Sequence, residues 1–364
     1  MYSLIKPVLF KFDPEDMHHF FVKIGKSLGS NALTRSLISA LWKYDHPSLH
    51  TTVGGVQFNN PVGLAAGFDK YAELYKILPS IGFGFMELGS FTARPFAGNP
   101  RPRIFRLPEE KSILVNYGLN NEGGVAVQKK LLHAKFDIPA GMSVAKTNDP
   151  NMTEKEALED YAKGFTLLHP LGSYTTVNVS CPSSFDGNTN TYSNPKYLPK
   201  LLERLDRCPH LNKPVFLKIK PDHDTKEVDQ ILAIARPYKW VTGFVLSNLL
   251  KKREGLKCKA RADALCSSGG LSGALVKKKS NEQLAYAYKK GKGRFIFIGC
   301  GGIFTAEDAY EKIKLGASLV QLITGMIYEG PGLISNINKG LVELLKRDGY
   351  KNIQEAVGSK NGPA

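Results

Sequence analysis

Eight short apolar runs recur along the chain, at 61–66 (PVGLAA), 83–89 (FGFMELG), 140–146 (AGMSVAK), 174–180 (YTTVNVS), 214–220 (PVFLKIK), 241–247 (VTGFVLS), 295–299 (FIFIG) and 318–323 (SLVQLI). Most end in Gly, Ser, Asn or Lys, and few alternate polar with apolar, which is the pattern of strands buried on both faces. Between them lie stretches with helical spacing, such as Leu198, Leu201, Leu202 and Leu205, or Val228, Ile231, Leu232 and Ala235. Thr305 ahead of Ala306, Glu307 and Asp308 reads as a helix N-cap with acidic residues in the first turn. Eight strands alternating with helices predict a closed (β/α)8 TIM barrel in preference to an open sheet. Such a barrel takes ~250 residues, so the 364 present leave room for an extra element. Two connections, 90–139 and 248–294, are too long for simple crossovers. Long insertions at strand C-termini are where barrels build substrate sites and lids.

The first 50 residues stand apart. Ile5, Val8, Leu9 and Phe12 share one helical face, and Asp13-Pro14 resets the chain as N-cap and first helical residue. Met17, Phe20, Phe21, Ile24 and Leu28 make a second stripe, and Leu37, Ile38, Leu41 and Trp42 a third. One reading is a helical cap on the barrel floor, which spacing alone favours. The other is a small helical module whose apolar faces lie on a membrane or line a tunnel for an apolar ligand. No run approaches the ~20 apolar residues of a membrane-spanning helix, and the lysines within the first apolar stretch do not suit a secretory signal.

The net charge of +16 suggests nucleic acid, an anionic membrane or anionic small ligands. Residues 251–294 concentrate it, with thirteen Lys or Arg against Glu254, Asp263 and Glu282. The five cysteines (Cys181, Cys208, Cys258, Cys266, Cys300) form no C-x-x-C pair. Such an odd, scattered set suits neither a zinc site nor a disulfide framework, so no metal is expected and a reducing cytoplasmic compartment is the default.

Three groups carry chemistry. Gly299-Cys300-Gly301-Gly302 closes the seventh strand and Thr324-Gly325 the eighth, the usual place of a phosphate site in this barrel class. Glycines there let backbone N–H groups reach phosphate oxygens. Lys70 follows the first strand, and Lys218 lies inside the fifth between Leu217 and Ile219. A lysine in a buried strand needs a partner: an anionic ligand, a cofactor atom that gains negative charge on reduction, or a core carboxylate. Third is Asn178-Val179-Ser180-Cys181-Pro182. Asn178 and Ser180 point to one side, and Cys181 begins the loop beyond, where a thiol of pKa ~8.5 can serve as a general base.

These motifs together resemble the FMN-dependent dihydroorotate dehydrogenases, in particular the quinone-linked class. The likeness spans about residues 1–335 through NPVGLAAGFDK at 60–70, GNPRPRIFRLPEE at 98–110, NVSCP at 178–182, KIKPD at 218–222, GGLSG at 269–273, IGCGGI at 298–303 and GASLVQL at 316–322. It implies a helical membrane and quinone module over 1–50, an FMN-binding barrel over 51–345 and a tail over 346–364. The implied reaction takes a proton from C5 of dihydroorotate while the C6 hydride passes to N5 of FMN, giving orotate for pyrimidine synthesis. A quinone entering through the N-terminal helices then reoxidises the flavin, at the cytoplasmic face of an anionic membrane and with no role for nucleic acid. By position, Ala66, Gly67, Ser90, Ser143, Asn178 and Lys218 would meet the flavin, and Ser247, Gly273, Gly302, Ile323 and Thr324 its ribityl and phosphate groups. Lys70, Asn178, Asn248, Ser183 and the stretch Asn116, Tyr117, Gly118 and Leu119 would face substrate, with Cys181 at the base position.

The departures matter. Serine is the usual base of the quinone-linked class, and cysteine belongs to the soluble classes. Two of the four asparagines that usually hold orotate read Val115 and Ser183, the threonine after Asn248 reads Leu249, and a flavin-contacting asparagine reads Ser143. The usual G-K-N-K beyond it is Ala145-Lys146-Thr147-Asn148. An unpaired polar substrate group costs ~1–3 kcal/mol. The alternative expectation is therefore an FMN oxidoreductase acting on a related dihydropyrimidine, or with a soluble acceptor.

Overall fold

The computed structural model describes residues 2–180 and 191–361. At its centre is a closed barrel of eight strands, β1 (Val62–Leu64), β2 (Phe85–Phe91), β3 (Ala140–Val144), β4 (Tyr174–Asn178), β5 (Val215–Ile219), β6 (Val241–Leu246), β7 (Ile296–Cys300) and β8 (Leu319–Leu322). Each is parallel to its sequence neighbour, and β8 closes onto β1 through Val320 opposite Val62 and Leu322 opposite Leu64. All eight runs read from sequence are barrel strands. The expected caps form as well: Asp13 accepts from the N–H groups of Glu15 and Asp16, and Thr305 makes a reciprocal capping box with Asp308.

Side chains two apart on a strand share a face, so the barrel interior fills in layers. Phe85, Tyr174, Phe216, Ile298 and Leu319 belong to one apolar cluster. Two residues further along the same strands come Glu87, Thr176, Lys218, Cys300 and Gln321, all buried. The mouth lies above them, at the strand C-termini.

The barrel floor is closed by an antiparallel hairpin, Thr51–Val53 with Val56–Phe58, and not by the N-terminal helices. Val53 and Phe58 join the apolar cluster of the barrel interior, with the Phe58 and Phe85 rings 5.4 Å apart. Helix α1 (Tyr2–Leu9) instead reaches the other end: Tyr2 donates to the Ile327 carbonyl at 2.6 Å, and Phe10 meets Tyr328 edge-on at 5.3 Å. Helix α2 (Pro14–Ser30) sets His18 against Phe68, in the loop after β1. Helix α3 (Ala32–Trp42) packs on the short helix Leu78–Ile81. Val22 and, partly, Leu28 and Ile38 turn toward the core. The rest of the stripes face out. Ten of the fourteen large apolar side chains exposed among the described residues fall between Leu4 and Leu41, the latter 74% exposed. No helix among the described residues is long and apolar enough to cross a membrane.

The two long connections meet in one sheet over the mouth. Ile104–Leu107 and Ser112–Val115, from the first, pair antiparallel, and Gly270–Gly273 from the second adds to Ser112–Val115. Leu107, Leu114, Leu250, Leu271 and Val276 form its separate small core. At the other end, residues beyond the helix Leu333–Asp348 pack back on the body: Ile353 is buried and donates its N–H to the Ser48 carbonyl, and Gly358 to that of Ile313.

Candidate functional site

The ends of β2, β3, β4 and β6 bring five polar side chains into one hydrogen-bonded network. Asn178 donates to Ser90 Oγ at 3.1 Å, and Ser90 shares a 2.7 Å bond with Ser143. Asn248, just past β6, donates to Asn178 Oδ1 at 3.1 Å and Ser180 Oγ at 2.7 Å. Ser180 in turn donates to Asn178 Oδ1, so the two do share a side. Each member is held by backbone at a strand end, which fixes it far better than a free loop would. Lys218 stands opposite Asn178 in the β4–β5 register and is buried. Its Nζ lies 3.9 Å from Glu87 Oε1, an ion pair too long for a hydrogen bond. The core carboxylate that a buried strand lysine calls for is therefore present, and Lys218 keeps donors to spare. Ser247 Oγ is buried with no hydrogen-bond partner among the described residues.

Beside this network the glycine turns converge. Gly301 and Gly302 take left-handed φ angles of 101° and 72°, open to glycine at no steric cost. At Gly302 a Cβ would come within 2.4 Å of Lys277 Cβ, and at Gly273 within 2.8 Å of Thr324 Cγ2. Thr324 also shares a 2.8 Å hydrogen bond with Ser272, so the lid strand is tied to the end of β8. Gly67 (φ 108°) bonds its N–H to the Gly89 carbonyl at 2.7 Å, and a Cβ there would meet only Ile323 Cδ1, at 3.8 Å. Ala66, Gly67, Ser90 and Ile323 are thus neighbours. Bare glycine backbone, a lysine with unused donors and an unpartnered hydroxyl suit a flavin mononucleotide. Its phosphate would fall to the backbone of Gly273, Gly302 and Thr324, and its polar ring edge to Lys218.

On the outer side of Lys70 the structure brings His18, Arg103 and Glu15, which sequence reading missed, together with Tyr117, which it named. Lys70 Nζ is 3.0 Å from His18 Nε2 and 4.0 Å from the centre of the Tyr117 ring. The Tyr117 ring also meets Arg103, at 4.4 Å from its centre. Arg103 grips Glu15 of α2 with its Nη2 at 2.7 Å and spans to the Ala97 and Asn99 carbonyls at 2.9 Å each. Burial pulls the Lys70 ammonium down to about 7, against the pull of Glu15 and Asp69. Burial, with Lys70 close by, drops His18 to about 2 and keeps it neutral. Burial alone would raise Glu15, but the hydrogen bond and charge of Arg103 outweigh it and hold the carboxyl below its usual range. A cavity of about 90 Å³ opens here, lined by His18, Val22, Phe68, Lys70 and Tyr71 among others.

Asn116 lies apart from the Asn178–Asn248 network: its Oδ1 accepts from Asn99 at 3.0 Å. Gly118 (φ 72°) and Leu119 (φ 60°) turn the lid beside Asn99, and Asn148 donates to the Gly118 carbonyl at 3.3 Å. Val115 is spent in the lid sheet, opposite both Ile104 and Gly270. Cys181 and Ser183 lie outside the described residues. Much of the basic segment is engaged internally. Arg253 pairs with Asp263 at 2.6 Å, Lys277 with Asp308 at 2.5 Å, and Arg294 caps the Tyr238 and Val241 carbonyls. The sequence signal for Glu87 was an acidic residue inside an apolar strand, the same signal that singled out Lys218. Glu15 and Arg103 gave none, because they meet across 88 residues.

Comparison with known proteins bears on the same geometry. A dihydroorotate dehydrogenase family model matches residues 48–345. Curated relatives carrying the name dihydroorotate dehydrogenase (quinone) match nearly end to end. That of Roseiflexus castenholzii is 37% identical over 362 residues, covering 98% of this chain and 96% of its own. That of Christiangramia forsetii is 40% identical over 344 residues, covering 94% and 98%. The crystal structure of the Eimeria tenella enzyme with ferulenol superposes with a TM-score of 0.83 at 27% identity, covering 96% of each chain.

Proposed function

The chain belongs to the dihydroorotate dehydrogenase family, and from that footing we propose that it oxidises dihydroorotate to orotate in pyrimidine synthesis with a quinone as acceptor. The observation that carries the reading is the barrel mouth itself. Asn178, Asn248, Ser180 and Ser90 form one network there, beside Lys218 and the left-handed glycines Gly301 and Gly302. Bound FMN supplies the hydride acceptor for C6 of the substrate and the redox centre for the quinone.

The side chains do the rest. The amides of Asn178 and Asn248 present donors and acceptors to the ring of dihydroorotate, and Lys70 offers its ammonium to the carboxylate. Cys181 takes the C5 proton, in place of the serine usual in this class. A thiol sits closer to neutrality than a hydroxyl, so it needs less help from its surroundings. Supporting the quinone role, α1 and α2 stand at the mouth with apolar faces outward, and the cavity between His18 and Lys70 adjoins α2. Residues 1–50 then act as a peripheral membrane module, and the barrel with its lid carries the chemistry. With Val115 confined to the lid sheet and Asn116 Oδ1 taken up by Asn99, the substrate has fewer amide acceptors on that side. This supports a weaker hold on orotate, and a related dihydropyrimidine remains the second reading.

One titration tests the proposal. Dihydroorotate added anaerobically to the FMN-loaded protein should bleach the visible flavin band, and a short-chain quinone should restore it. A band left unbleached would refute the substrate, and a bleached band that quinone fails to restore would refute the acceptor.

A further inference from the structure

Glu87 has no part in the reaction as described, yet it is fully buried in the interior layer just below the mouth. Its two oxygens are used unequally. Oε2 accepts from Thr176 Oγ1 and Gln321 Nε2, each at 2.8 Å, which locks the carboxylate plane from two other strands. Oε1 has no hydrogen-bond partner among the described residues and faces Lys218 Nζ at 3.9 Å. Below lie Phe85, Phe216 and Ile298, with the neutral Tyr174 hydroxyl beside the carboxylate, so among the described residues no other charge screens the pair from this side. Charges this close, away from water, feel each other strongly. The carboxylate is therefore anchored by neutral donors, and its unspent oxygen acts on the lysine across a gap that leaves the ammonium free to point toward the mouth.

We propose that Glu87 is a positioning residue of the redox site: it orients Lys218 and offsets its charge, and so sets the reduction potential of the flavin. This rests on reading the mouth as the FMN site. An unopposed ammonium would favour the reduced flavin, which carries more negative charge. Glu87 holds that preference down, which keeps the electrons transferable to the acceptor.

The test is a potential measurement on FMN-loaded protein equilibrated with redox dyes. Glu87→Gln should favour reduced flavin by about tenfold, a rise of ~30 mV for a two-electron couple. Glu87→Asp, which keeps the charge, should move the potential less than half as far. In a Lys218→Met background, Glu87→Gln should move it by less than a third of that, because the effect runs through the lysine. An unchanged potential in Glu87→Gln, or equal shifts in both backgrounds, overturns the proposal. Where Glu87→Gln alone does not fold, the charge-neutral pair Glu87→Gln/Lys218→Met should regain the native circular dichroism, and its failure to do so also overturns it. Failure of the wild-type protein to quench FMN fluorescence would sink the cofactor reading instead, a result told apart before any variant is made.

Discussion

Replacing Arg103 by methionine cuts a buried tie between the N-terminal helices and the lid. The guanidinium meets Glu15 through Nε at 3.1 Å and Nη2 at 2.7 Å, and caps two lid carbonyls. The Glu15 side chain is only 3% exposed. Breaking a buried pair from one side costs ~3–5 kcal/mol, because a charge is left without its partner. Two orphaned carbonyls would add ~1 kcal/mol each. Arg101 Nε, 3.2 Å from Glu15 and half exposed, stays as a partner and recovers about half of that ~5–7 kcal/mol total, so the expected loss is ~3 kcal/mol.

The loss should be local. Hydrogen exchange in α2 and in Ile104–Leu107 should speed by about a hundredfold, while the barrel strands keep their protection. The double variant Glu15→Gln/Arg103→Met should exchange more slowly than Arg103→Met alone, since no charge is stranded. The pH dependence has a definite sign. Arg103 holds the folded carboxyl of Glu15 below its unfolded value of about 4.5, so its stabilisation is present above that pH and fades as pH falls through the folded value. Arg103→Met should lack this acid-side decline. Exchange unchanged within ~0.5 kcal/mol in both segments, or a double variant no better than the single, would refute the reasoning.

Lys70, drawn from 10.5 to about 7, binds fewer protons folded than unfolded between those values, so the fold should gain stability as pH rises through that window. Orotate binding needs the ammonium and should take up a proton near pH 8, seen by calorimetry in two buffers and lost in Lys70→Met; no uptake in the wild type would contradict the contact. Gly302→Ala forces a Cβ against Lys277 at a left-handed φ of 72° and should weaken FMN binding tenfold or more by fluorescence titration. Cys181→Ser should slow anaerobic flavin reduction and shift its pH profile upward; an identical profile would assign the proton to another group. Leu33, Leu37 and Leu41, each more than half exposed, should together anchor α3 on anionic vesicles. At ~1.5 kcal/mol or more per buried leucine, changing all three to serine should abolish flotation with vesicles while leaving the thermal unfolding of the barrel in place.

The eight barrel strands were legible one by one, because a strand buried on both faces must be short, apolar and bounded by turn residues. PVFLKIK says nearly all there is to say about β5 by itself. The glycine turn after β7 and the Asn178–Ser180 pair were legible for a similar reason, their geometry being local, whereas Thr324-Gly325 after β8 opens a helix and not a turn. Helical spacing identified the apolar stripes of α1 to α3, but spacing has no direction. It could not show that the hairpin Thr51–Phe58 closes the floor while α1 and α2 stand at the mouth with those stripes outward. Nor could two long insertions declare that Gly270–Gly273 would pair with Ser112–Val115, since antiparallel pairing across some 160 residues leaves no periodic trace in either segment. Lys218 announced by itself that it required a partner. That the partner is Glu87, from a strand three places around the barrel, depended on closure, which alone brings β2 and β5 to face each other across the interior.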